Sequence, residues 1–131
     1  MALVRTRLAL VLVVVLTTVA GRWIDVRDLP GRIKGDEATY VAMALSLADD
    51  GDLYYERNDY TRFVQVYGQG PSGIFLKRRY EPGLGQKVPV PADQSLAFGK
   101  ALIYPVAATP FVWLGGPGGL VIFNWLMLAS C

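Results

Sequence analysis

Hydrophobic and polar positions divide the chain into three parts. An uncharged apolar run extends from Leu8 to Gly21, and a second one extends from Ala101 to Cys131. The 13 basic and 11 acidic residues lie outside these runs, and all of them except Arg5 and Arg7 fall between Arg22 and Lys100. Two apolar ends around a polar middle predict an integral membrane protein with a large water-exposed loop.

The first apolar segment has two interpretations. A signal peptide would have a basic start, an apolar stretch of about 13 residues and the small-residue site "TVA" before Gly21. A retained membrane helix would use the 23 residues from Ala2 to Ile24. Because another apolar segment follows, we expect retention and assign residues 1–24 to transmembrane helix 1. Arg5 and Arg7 then place the N-terminus in the cytoplasm and the next loop outside.

The last apolar segment is too long for one membrane helix. Its 31 uncharged residues would form a helix of about 46 Å, whereas the hydrocarbon core is about 30 Å thick. The "GGPGG" at 115–119 predicts a tight turn between transmembrane helix 2 at 96–114 and transmembrane helix 3 at 120–131. Lys100 would snorkel at the outer end of helix 2, and Trp113 would lie at headgroup depth at its other end.

The third of these helices has only 12 residues, too few to cross a bilayer. The sequence therefore predicts the N-terminal piece of a longer multi-pass protein. The alternative is a short buried helical hairpin in a soluble protein.

The outer loop at 25–95 begins with a predicted helix at about 36–50. Asp36 can cap it, Glu37 suits its first turn, and Gly51 is a candidate for the position just after its end. Apolar residues recur there at helical spacing: Tyr40, Met43, Ala44, Leu45 and Leu47. The pattern predicts an amphipathic helix that lies along the outer membrane surface.

The rest of the loop is rich in glycine and proline. Residues 68–94 predict an ordered irregular loop or a mobile flap and no strand sheet. The "GQGPSG" within it lacks the Lys-Ser/Thr ending of a phosphate-binding loop. The predicted fold class is therefore an all-α integral membrane protein with one membrane helix, an outer loop with a surface helix, and a membrane-spanning helical hairpin.

Charge and composition exclude several classes of function. The net charge of +2 comes from Arg5 and Arg7, because the stretch from Arg22 to Lys100 holds 11 basic and 11 acidic residues. This balance predicts no binding to nucleic acid. One cysteine, Cys131, and no histidine exclude an internal disulfide and a Cys/His zinc site. A metal ion would have to be a hard cation bound by oxygen atoms.

The adjacent carboxylates Asp36 and Glu37 also have two compatible interpretations. They are typical of the start of a helix. At the outer mouth of a membrane helix, a carboxylate could also act as a general base on a hydroxyl group or help to hold a divalent cation.

Several short motifs resemble one family of membrane enzymes. In the outer loop these are Asp36-Glu37, Tyr40, Gly51-Asp52 and Asn58-Asp59-Tyr60. In the last segment they are Lys100, Tyr104-Pro105, Pro110, the glycine-rich turn at 115–119 and Asn124. Their order and spacing resemble bacterial multi-pass glycosyltransferases of the GT-C fold, a group that includes protein O-mannosyltransferases and lipid A aminoarabinose transferases. The resemblance covers most of residues 8–131, and residues 68–94 match no part of it.

The resemblance implies an enzyme of the bacterial inner membrane that takes a sugar from a polyprenyl-phosphate carrier and transfers it to an acceptor hydroxyl at the outer face. Asp36 would be the general base, and Glu37 would orient the base or the acceptor. The implied substrate-binding residues are Tyr40, Lys77, Arg78, Arg79 and Lys100. The cations would neutralise the departing lipid phosphate, while simple solvation or snorkelling is their alternative role. The piece would be inactive alone.

Cofactors and partners follow from the same resemblance. No cofactor is certain, a divalent cation stays open, and the lipid-linked sugar is a substrate. The expected partners are the lipid bilayer and this donor, and the oligomeric state is left open. Two other classes of function stay open as well: a non-enzymatic multi-pass subunit for assembly or transport, and a binding protein released by cleavage of a signal peptide.

Overall fold

The computed structural model describes residues 2–28, 33–82, 87–89 and 96–131. The helices are α1 (Ala2–Ala20), α2 (Gly35–Asp49), α3 (Arg57–Tyr67), α4 (Ile103–Gly115) and α5 (Gly118–Ala129). Short 3-10 turns at Gly21–Trp23 and Val26–Asp28 follow α1. The strands are β1 (Leu76–Arg78), β2 (Tyr80–Pro82), β3 (Lys87–Pro89) and β4 (Leu96–Phe98). The protein is mostly helical, as the pattern predicts.

The strands correct the prediction of an all-α fold with no strand sheet at 68–94. β1 pairs antiparallel with β4, and β2 pairs antiparallel with β3. The chain at Leu53 and Tyr55 joins the first pair, because the Phe98 amide donates to the Leu53 carbonyl and the Tyr55 amide donates to the Leu96 carbonyl. These partners come from three distant parts of the sequence, so no local alternation of polar and apolar residues announces them.

Helix α2 begins and ends one residue earlier than predicted, but it lies in the core and not on a surface. Its buried residues are Ala38, Thr39, Val41, Ala42, Met43, Ala44, Leu45 and Ser46. Many of these are small, so neighbouring elements can approach the helix from more than one side. An apolar stripe at helical spacing predicts that one face of the helix is buried. In α2 the alanine, serine and threonine residues beside the stripe are buried as well, so more than one face of the helix is in contact with the core.

Helices α2 and α4 lie side by side along their whole length. The rings of Tyr40 and Tyr104 are 5.4 Å apart near the starts of the two helices. Near their ends, Trp113 Nε1 donates to the Ala48 carbonyl at 2.7 Å. The two helices therefore run in the same direction, with their C-termini together.

The C-terminal end of α1 packs against the turn between α4 and α5. A Cβ atom added to Gly115 would clash with the Thr18 carbonyl, and one added to Gly118 would clash with the Gly21 carbonyl. Arg22 Nε donates to the Leu114 carbonyl at 2.7 Å and so satisfies the end of α4. Glycine is required here because the backbones touch.

Most of α1 lies outside the core. By length and composition, the segment from Val4 to Trp23 could cross a membrane, and only 11% of its most apolar window is buried. The membrane span at 1–24 stays a prediction. A signal sequence would meet the same criterion.

The structure also corrects the bounds of the last apolar segment. Residues 96–98 form β4, so the predicted helix at 96–114 begins only at Ile103. The tight turn is confined to residues 116–117, and α5 begins at Gly118. Because β4 is held by β1, it is unavailable to extend α4.

Candidate functional site

The start of α2 is fixed by the glycine-rich loop that follows α3. Gly35 has φ +62 and donates its amide to the Ser72 carbonyl at 2.7 Å. Thr39 Oγ1 accepts the Phe75 amide at 2.9 Å and donates to the Gly35 carbonyl. Lys34 occupies the N-cap position, and no side chain caps the helix there. The prediction that Asp36 caps α2 is therefore wrong. The Asp36 carboxylate is directed to another partner.

That partner is Lys100. Its Nζ lies 2.8 Å from Asp36 Oδ1 and 4.4 Å from the centre of the Phe75 ring. The Asp36 side chain is 62% exposed and that of Lys100 is 23% exposed. The lysine predicted to snorkel therefore forms an ion pair with the predicted base, and the aromatic face of Phe75 supports its charge.

Glu37 lies in the same turn and is exposed. Burial raises the pKa of Tyr67, and the negative charge of Glu37 contributes to this increase. The Tyr67 hydroxyl is therefore protonated at neutral pH. Tyr40 packs on Tyr104, whose hydroxyl donates to Asn124 Oδ1 at 2.9 Å. Aromatic side chains thus border the second carboxylate.

The basic cluster of β1 is divided between two surfaces. A Cβ added to Gly99 would lie 3.1 Å from Lys77 Cγ, so the stem of Lys77 passes over the residue before Lys100. Arg78 is exposed and, as the next residue of the strand, faces the other side. The Arg79 guanidinium stacks 4.1 Å from the centre of the Tyr54 ring. Among the three predicted cations, Lys77 is thus shown to contact the chain just before Lys100.

Two other motifs of the resemblance have structural roles. Asp52 Oδ1 accepts the Tyr54 amide at 3.0 Å, and Ser46 Oγ donates to the Asp52 carbonyl. Asp59 is buried and accepts the Glu56 amide at 2.8 Å in a reciprocal cap of α3. These carboxylates stabilise the loop through their hydrogen bonds, and none of these bonds is made to Asp36 or Glu37.

Arg62 is a connecting residue that the sequence interpretation missed. Its guanidinium lies within 3.1 Å of three carboxylates, those of Asp49, Asp50 and Asp59. The pair of Asp59 and Arg62 could have been predicted from the sequence, because residues three positions apart on a helix are neighbours. The contacts of Arg62 with Asp49 and Asp50 could not, because they depend on how α2 and α3 pack. This cluster joins the end of α2 to α3.

Two cavities lie at opposite ends of α2. One of about 210 Å³ lies just before the start of α2 and is lined by Ile33, Lys34, Gln69, Gly70 and Ser72. A larger one of about 720 Å³ lies where α2 and α4 end, among Arg22, Arg27, Gln65 and Trp113. Within the described ranges, no three carboxylate or cysteine side chains converge to hold a metal ion.

The comparisons with known proteins found no matching family model, curated protein or solved structure. The site therefore has to be interpreted from its own residues.

Proposed function

We propose that the protein is a membrane glycosyltransferase, or a part of one, that uses a lipid-linked sugar at the outer face of the membrane. The observation that carries this proposal is the ion pair between Asp36 and Lys100. The resemblance suggests a base at the first position and a phosphate-binding cation at the second. These positions lie far apart in the sequence, with residues 37–99 between them, and come into contact in the structure.

The two groups suit the charges of glycosyl transfer from a phosphate carrier. Attack at the anomeric carbon requires removal of a proton from the acceptor hydroxyl, which a carboxylate can accept. The departing phosphate gains negative charge, which an ammonium group neutralises. In the resting arrangement each group neutralises the other. Arrival of the lipid phosphate would draw Lys100 away and leave Asp36 free to act as the base.

Neighbouring side chains fit this division of roles. Lys77 could add a second positive charge on the phosphate side, since its stem passes over Gly99, the residue before Lys100. Glu37 and Tyr40 follow Asp36 on α2, and the rings of Tyr67 and Tyr104 lie near them. These side chains could orient an acceptor. Arg78 and Arg79 are assigned no contact with substrate in this proposal.

The test is sugar transfer by the complete open reading frame that contains these 131 residues, reconstituted in vesicles with polyprenyl-phosphate mannose or aminoarabinose. Asp36→Asn should lower the transfer rate by about 100-fold or more, because general base catalysis contributes at least that factor. Asp28→Asn, at an exposed acid in the second 3-10 turn, is the matched control and should keep the wild-type rate. An Asp36→Asn protein as active as wild type would exclude the proposed base.

A non-enzymatic membrane subunit is the second candidate. It is favoured by the fact that Lys100 already neutralises Asp36, as an ion pair that only fastens α2 to the β1–β4 sheet would do. In that case the wild-type protein would transfer no sugar from polyprenyl-phosphate mannose or from polyprenyl-phosphate aminoarabinose. Loss of the ion pair would instead weaken folding or assembly.

A further inference from the structure

We propose that the hairpin of α4 and α5 lies against the outer leaflet of the membrane and does not cross the bilayer. This inference rests on the membrane placement of α1 in the proposed function and is independent of the sugar transfer itself. It changes the expected topology, in which the hairpin would carry the chain to the cytoplasm and back.

The first step is the position of the hairpin tip. Three contacts join the tip to α1 and the turn that follows it: Gly115 to Thr18, Gly118 to Gly21, and Leu114 to Arg22. All three lie at the C-terminal end of α1.

The second step is the side of the membrane. Arg5 and Arg7 at the start of α1 favour a cytoplasmic N-terminus, so the C-terminal end of α1 is the outer end. The tip of the hairpin is therefore outside. A hairpin that entered from the outer face and crossed the bilayer would have its tip at the cytoplasmic face, far from Gly21.

The third step is the attachment of α4 to α2. The contacts of Tyr104 with Tyr40 and of Trp113 with the Ala48 carbonyl hold the two helices together at both ends. Helix α2 carries Asp36 and Glu37 at its start and Asp49 and Asp50 at its end. Moving α4 into the bilayer would carry these four carboxylates with it, which the hydrocarbon core opposes.

Helix length supports the same conclusion. The 13 residues of α4 correspond to about 20 Å. This length does not reach the roughly 30 Å of a hydrocarbon core. A helix of this length can lie within the interface.

The exposed side chains of the hairpin identify lipid as the partner. Large apolar residues are exposed on both helices: Ile103, Val106, Trp113, Trp125 and Leu128. Trp23, which is 80% exposed in the turn after α1, lines the same cavity as Trp113, so apolar side chains of the hairpin lie near those at the end of α1. Tryptophan suits the boundary between headgroups and acyl chains. The alternative partners of this surface are a second copy of the chain and further membrane helices. The experiments below distinguish both from lipid.

Cysteine labelling tests the position of the tip in the full-length protein. In a Cys131→Ser background, Pro117→Cys and Leu114→Cys each place one thiol beside the turn. A membrane-impermeant maleimide should label both in intact spheroplasts, as it should label the outer control Gln65→Cys. The inner control Ala2→Cys should react only after permeabilisation.

Labelling of the tip only after permeabilisation would overturn the proposal, and so would a tip that stays unlabelled in both conditions. Labelling of Ala2→Cys in intact cells, or loss of its segment by cleavage, would overturn the premise about α1. That result would not bear on whether Asp36 acts as a base, so the two failures are distinguishable.

Tryptophan fluorescence tests the contact with lipid. A variant that retains only Trp125, with Trp23→Phe and Trp113→Phe, is placed in phosphatidylethanolamine–phosphatidylglycerol vesicles doped with brominated phosphatidylcholine. We expect stronger quenching by bromine near the headgroup than by bromine near the chain ends. A variant that retains only Trp113 should behave alike and controls for misfolding of the first. Deeper quenching of Trp125, or no quenching of either residue, would contradict the proposal.

Discussion

Glycine residues at the hairpin turn determine how closely α1 can approach the rest of the molecule. At Gly118 and Gly115 a single added methyl group meets backbone atoms, which cannot move aside as a flexible side chain can. The "GGPGG" sequence predicts a turn, but it does not reveal that two of its glycines are contact surfaces for another helix. That requirement is apparent only when α1 is in place.

Gly118→Ala should therefore destabilise the protein by about 2 kcal/mol or more, because the inserted methyl group forces a backbone shift. Gly99→Ala is the control, since its added Cβ would meet only the flexible side chain of Lys77 and the Phe75 carbonyl at 3.1–3.4 Å. Thermal unfolding in detergent measures both. Equal melting temperatures for the two variants would contradict the close contact of α1 with the hairpin.

The ion pair of Asp36 and Lys100 is also a feature of individual residues. Both residues stand out in the sequence, but their pairing could not be predicted because most of α2, all of α3 and the four strands lie between them. With Asp36 62% exposed, solvent screens the pair, so it should contribute little to stability.

A double-mutant cycle of Asp36→Asn and Lys100→Gln should give a coupling free energy of about 1 kcal/mol or less in thermal unfolding. A coupling several times larger would show that the pair is mainly a structural fastening. It would thereby favour the non-enzymatic alternative over the transferase.

At the scale of elements, the accuracy of the sequence prediction depends on how local the signal is. Helix α2 is bounded by local signals, an acidic start and a glycine end. Gly51 has φ +75 and donates its amide to Ser46, as expected of the residue after a helix. Strand β4 has no such signal, because its partners, β1 and the chain at Leu53 and Tyr55, lie far from it in the sequence. The sequence therefore predicts residues 96–98 as part of a membrane helix.

The junction of α2 and α3 should make stability depend on pH. Burial raises the pKa of the Asp59 carboxyl above its ordinary value of 3.8, although the Glu56 amide and Arg62 oppose the increase. The folded protein thus binds this proton more tightly than the unfolded chain. The stability contribution of Asp59 is complete below the ordinary pKa and is lost as the pH rises through the raised value.

Comparison with Asp59→Asn isolates this effect, because asparagine has a similar shape and does not titrate. Between about pH 3 and pH 7, the melting temperature of the wild type should fall relative to that of the variant. Two parallel pH profiles, or a wild type that gains on the variant as pH rises, would show that burial does not raise the pKa of Asp59.

At the scale of the whole molecule, the described residues form a helical body at the C-terminal end of a long exposed apolar helix, α1. The order of apolar and charged segments predicts that α1 differs from the rest. It does not predict that α4 and α5 belong to the body, because short apolar helices in a core and in a membrane have similar composition. The contacts of the hairpin with α1 and α2 distinguish the two.

In this helical body, Asp36, Glu37, Lys100 and several aromatic side chains lie around the N-terminal end of α2. The Gly/Pro-rich loop that resembles no family segment has a defined role at this end, since Ser72 and Phe75 hold the start of α2. The local sequence of that loop contains no sign of this role. Its hydrogen bonds are made to a helix more than 30 residues earlier in the chain.

The most direct test of the central claim is release of free polyprenyl phosphate from a labelled polyprenyl-phosphate sugar by the reconstituted full-length protein. We expect repeated turnover when an acceptor is present. Release should fall about 100-fold in Asp36→Asn and stay at the wild-type level in Asp28→Asn. A folded wild-type protein that leaves both the mannose and the aminoarabinose carriers intact, or releases phosphate equally well without Asp36, would contradict the account.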